Sequence, residues 1–68
     1  MHLPIYVSAR RPRFQITYNC PTLNWAGQKL RDFRLSDYDE IEARDGMRVP
    51  ISAAGMDMLA ALPSPNGA

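Results

Sequence analysis

The sequence is short of the residues that usually staple or arm a small domain. Its 68 residues include one cysteine and one histidine. Cys20 therefore has no internal disulfide partner, and with His2 it supplies only half of the four ligands a structural zinc site needs. Nucleophilic catalysis meets the same gap, because it requires a cysteine or serine beside a base. The only imidazole sits at position 2, where chains usually fray. Gly27, Gly46, Gly55 and Gly67 are too dispersed to cradle a phosphate. No cofactor, metal or catalytic residue is expected, and the chain reads as non-enzymatic.

Long apolar runs are also missing, and none approaches the roughly 20 residues that cross a bilayer. The basic cluster follows residues 1–9, whereas a secretory leader carries its cations first. No Asn-x-Ser/Thr acceptor occurs. The expectation is a cytoplasmic chain with no membrane partner.

What is present suits one globular domain: 46% of residues are hydrophobic and 22% charged, richer in apolar groups than a disordered chain. A domain this small buries only about 60% of its unfolded surface, and such a core rarely supplies more than ~3–5 kcal/mol. With no internal disulfide and no full zinc-ligand set, a second copy or a larger protein partner is the expected staple, a well-packed monomer being the alternative. The net charge of +1 hides an asymmetry. Through Leu35 six cations stand against one carboxylate, giving +5, and from Ser36 two cations stand against six carboxylates, giving −4.

Leu3, Ile5 and Val7 alternate with polar or outward residues, as do Phe14, Ile16 and Tyr18, which predicts two half-buried strands. Arg10-Arg11-Pro12 is expected to form the loop between them, with arginines at its tip. Leu23, Ala26, Leu30 and Phe33 then share one helical face, capped by Thr22 or Asn24. Gly27 inside that helix costs about 1 kcal/mol relative to alanine.

Residues 36–46 support two readings. Ser36 with acids after it, Arg44 near the end and Gly46 beyond resembles a capped helix. A second hairpin is favoured, because a loop of Arg44-Asp45-Gly46, with Gly46 left-handed, sets Ala43 against Met47, Glu42 against Arg48 and Ile41 against Val49. Ser52 then caps a short helix over 53–62 with Gly55, Met58, Leu59 and Leu62 inward, ended by Pro63. The predicted fold is α+β over residues 1–63: an antiparallel sheet from two hairpins, one main helix and a short C-terminal helix. Residues 64–68 are expected to be a loose tail.

The carboxylates at 37, 39, 40, 42 and 45 fail as a calcium loop. Counted from Asp37, the glycine position holds Glu42 and the bidentate glutamate position holds Arg48. They are expected to be a solvated acidic face. Recognition remains. Arg10, Arg11 and Arg13 at the hairpin, with Lys29, Arg31 and Arg34 on the helix, suggest a basic surface. Tyr6 and Trp25 lie out of phase with the apolar stripes and are the residue types that anchor interfaces. These eight residues are the candidate partner-binding set of a protein-binding module, an inhibitor, adaptor or assembly subunit. The alternative is a small nucleic-acid-binding regulator that sets the same cations against phosphates.

Overall fold

The alternating residues of the first twenty positions form two strands, β1 (Ile5–Arg11) and β2 (Phe14–Cys20), in a computed structural model that describes residues 1–65. They are joined by a loop of Pro12 and Arg13 alone, since Arg11 pairs with Phe14. The loop thus starts two residues later than the sequence suggested and ends one later, and Arg10 and Arg11 belong to the strand. Register explains the shift. The observed pairing sets Ile5 against Cys20, Val7 against Tyr18 and Ala9 against Ile16, apolar against apolar. A loop over residues 10–12 would have set Val7 against Gln15 and mixed the two faces.

Helix α1 (Leu23–Leu35) starts where Thr22 accepts the Trp25 amide at 3.2 Å. Ala26, Gly27, Leu30 and Phe33 are its buried residues. It ends at Ser36, whose amide bonds the Phe33 carbonyl, and Asp37 then turns the chain with φ of 58°. That left-handed step is tolerated better by aspartate than by most residues.

Strand β3 (Glu40–Arg44) joins the other side of β1, so the sheet order is β2-β1-β3, all antiparallel. The second hairpin is reduced to one bridge, Arg44 to Pro50, continued by the Ile51 amide on the Ala43 carbonyl at 2.9 Å. The expected three-residue loop is a five-residue one. The Asp45 carboxylate accepts the amides of Met47 at 2.9 Å and Val49 at 3.0 Å, folding residues 45–49 outward. Met47 and Val49, expected opposite Ala43 and Ile41, are exposed, and Ile51 packs on the core instead. The left-handed residue is Arg48, with φ of 64°, and not Gly46. Gly46 is needed for closeness: a Cβ there would stand 2.4 Å from the Leu3 carbonyl oxygen. Its amide donates to the His2 carbonyl at 2.6 Å, so the backbone at position 2 is held, not frayed.

Helix α2 (Ala53–Ala60) is capped by Ser52, which accepts the Gly55 amide at 3.1 Å. It buries Leu59 and rests Met56 on the core, whereas Met58, expected inward, is 74% exposed. Both helices cover one face of the sheet, and between them and it lie Ile5, Val7, Ala9, Cys20, Ala26, Leu30, Phe33, Ala43 and Leu59. Gly27 is where α1 and α2 touch, because a Cβ there would fall 2.0 Å from the Leu59 carbonyl oxygen. Of the expected tail, Ser64 and Pro65 are half-buried and residues 66–68 lie outside the described ones.

Candidate docking surface

Strand alternation gives the sheet two unlike faces. The odd residues of β1 meet the helices, and Tyr6, Ser8 and Arg10 face away, beside Asn19, Thr17 and Gln15 of β2 and Arg44, Glu42 and Glu40 of β3. This open face is polar. Ser8 and Thr17 share a hydroxyl hydrogen bond of 2.9 Å across it, and Arg10 pairs with Glu40 at 2.8 Å.

The eight residues picked from the sequence do not converge. Tyr6 and Arg10 lie on the open face. Trp25 lies in the first turn of α1 on the other side of the sheet, 37% exposed. Arg11, on the helix side, donates to the Ser36 carbonyl and stacks 4.3 Å from the Tyr38 ring centre. Lys29 sits 4.3 Å from the Tyr18 ring centre. Arg31 is turned inward: Nη1 donates to the carbonyls of Ala60 and Leu62, both at 2.7 Å, and Nη2 to Gln28 Oε1 at 2.9 Å. It thereby neutralises the carbonyl end of α2, where a cation is favoured. Arg34 pairs with Asp57 at 2.7 Å. Arg13, in the exposed turn, is the cation of the set with no partner among the described residues.

Two features escaped the sequence reading. Arg44 and Arg48 stand beside Tyr6, and with Ser8 and Thr17 they line a shallow hollow of about 210 Å³ on the open face. Arg44 Nη1 donates to the Arg48 carbonyl at 3.3 Å, which holds one wall. The signal was hidden because both arginines fall in the acidic half of the chain. The second feature is an apolar groove of about 200 Å³ on the helix side, lined by Met1, Leu23, Gly55, Met58, Leu59 and Leu62. Met58 and Met1 stay 74% and 64% exposed there. Methionine is flexible and polarisable, which suits it to irregular apolar partners.

The titratable groups follow their surroundings. Cys20 is buried, and desolvation pushes its thiol up, opposed in part by the charge of Lys29. It is a core thiol, not a thiolate. Asp45 is held below the ordinary carboxylate range chiefly by the Val49 amide, with burial opposing and the Met47 amide and His2 adding to the effect. Of the acidic cluster, Glu40 and Glu42 thus belong to the open face while Asp45 is spent on its loop. Among the described residues no group of three or more His, Cys, Asp or Glu is placed to hold a metal ion. None of the described helices is long and apolar enough to cross a membrane.

The geometry defines the class as a three-stranded antiparallel sheet with two helices on one face, carrying an apolar groove between its helices. Compared with known protein families, curated proteins and solved structures, the chain finds no match.

Proposed function

We propose that the chain is a small protein-binding module, without catalytic activity, that docks an apolar segment of a partner protein into the groove between α1 and α2. The observation that carries this reading is the groove itself. Its walls leave Met1, Leu23 and Met58 open to water in a domain that has little apolar surface to spare. Contiguous exposed apolar surface of this kind marks binding sites more often than chance. An amphipathic helix or extended segment presenting two or three apolar anchors is the matching ligand. In this reading the module works in the cytoplasm, consistent with a single unpaired cysteine.

Less supports the alternative, a nucleic-acid-binding regulator. Of the six cations on the hairpin and helix that it would set against phosphates, Arg10, Arg11, Lys29, Arg31 and Arg34 each have a partner within the chain. A Met58→Asp variant should retain its circular dichroism and melting temperature yet lose capture of the partner from a lysate of the native host. Tyr6→Ala and Arg13→Ala should capture it fully. If Met58→Asp still captures and Tyr6→Ala does not, the open face, not the groove, is the docking surface.

A further inference from the structure

The outer edge of β2 carries a second surface, independent of the groove. Because the β1–β2 loop has two residues, Arg11 and Phe14 form the hydrogen-bonded pair that closes it. Hydrogen bonding then alternates along the strand. Phe14, Ile16, Tyr18 and Cys20 spend their backbone groups on β1, so the amides and carbonyls of Gln15, Thr17 and Asn19 point outward. The same phase carried across β1 turns the Ala43 carbonyl to the far edge of β3, where the Ile51 amide meets it. One edge of the sheet is thus met by residues 50–51, and along the other no described residue pairs with β2.

Natural edge strands are normally blunted by charge, proline or a bulge. β2 has none of these: its seven residues, FQITYNC, include no charged residue and no proline, and pair with β1 without interruption. They also read the same in both directions by chemical type. Outward from Thr17 come Ile16 and Tyr18, both apolar, then Gln15 and Asn19, both amides, then Phe14 and Cys20, both apolar.

We propose that this edge joins two copies of the chain, with β2 pairing antiparallel to β2 of the second copy about a twofold axis at Thr17, so that two three-stranded sheets become one. In this register Thr17 faces Thr17 of the second copy and Gln15 faces its Asn19. All three outward-facing residues on each strand are then hydrogen-bonded. On the helix side Ile16 meets Tyr18, and Phe14, 51% exposed, gains cover from the second copy. A slip of two residues either way sets Asn19 against Arg13 or Gln15 against Pro21, outside the strand and, for Pro21, without an amide to give. The strand's self-complementary order is what selects a second copy over an unrelated strand.

The test is native mass spectrometry with sedimentation equilibrium on the whole chain. The wild type should carry the mass of two chains, while Thr17→Lys and Thr17→Glu should each be folded monomers, since each sets like charges face to face at the axis. Mixed in equal amounts, the two variants should form a heterodimer. In the wild type the amides of Gln15, Thr17 and Asn19 should become protected from hydrogen exchange as concentration rises. A wild type that stays monomeric at millimolar concentration, with these amides exchanging freely, overturns the proposal, as does a dimer that both variants leave intact. Partner capture through the groove should persist in both charge variants, so failure of one surface is distinguishable from failure of the other.

Discussion

Gly27 shows how a single atom can outweigh a helix propensity. Alanine in place of a mid-helix glycine ordinarily stabilises by about 1 kcal/mol. Here its Cβ would stand 2.0 Å from the Leu59 carbonyl oxygen, a backbone atom that can retreat only if α2 moves. Gly27→Ala should therefore lose about 1–3 kcal/mol of stability, the usual cost of overpacking, measured as a lower urea midpoint. Asp45 sets a second expectation. Its folded pKa lies below the ordinary value of 3.8, so the stability it confers is complete above that value and disappears as pH falls through the folded one. The urea midpoint should decline as the pH drops below about 4. Asp45→Asn should start from a lower midpoint at neutral pH and show a shallower acid decline.

At the scale of elements, α2 depends on its neighbours. Eight residues are too few for a helix to persist alone, and α2 is held by Ser52 at one end, Arg31 at the other and the Gly27 contact between. Replacing Arg31 with methionine keeps the aliphatic stem and removes the donors to Ala60 and Leu62. Amides of α2 should then lose hydrogen-exchange protection while those of β1 keep theirs. The elements were largely legible in the sequence. Period-two alternation located β1 and β2, and the stripe from Leu23 to Phe33 located α1, although Leu23 is left exposed and the cap, open between Thr22 and Asn24 in the sequence, is Thr22. The connections were not. Placing the first loop required a test of register, which the apolar pairs of β1 and β2 would have decided. The second loop turned on the Asp45 side chain competing for the amides that a fourth strand would have used. On α2 and just past it, Leu59 is buried and Gly55 and Leu62 half-buried as expected, but Met56 and not Met58 turns to the core, because a short apolar helix, MDMLA within it, offers little contrast between faces.

Across the whole molecule, part of the opposed charge of the two halves is paired internally. Arg10 with Glu40 and Arg34 with Asp57 each join the basic half to the acidic half. Exposed pairs like these contribute only about 0–1 kcal/mol each. They also give those two cations partners inside the chain. That is why the candidate site was poorly legible: a count of arginines cannot distinguish those that hold the chain together from those left to meet something else. Tyr6 was placed on the correct side of the sheet by alternation alone, but its neighbours Arg44 and Arg48 come from a segment nearly forty residues away. The groove likewise joins Met1 to α2, a juxtaposition that no local pattern encodes.

The one-sided covering of the sheet divides the chain's positions by what they are free to become. Ile5, Val7 and Ala9 are fixed by a core with no room for error. Tyr6, Ser8 and Arg10, one step along in the same strand, face away from that core. Drift can rewrite that face residue by residue without refolding the protein. A lineage carrying this domain could therefore change what the bare face meets long before it changed its shape.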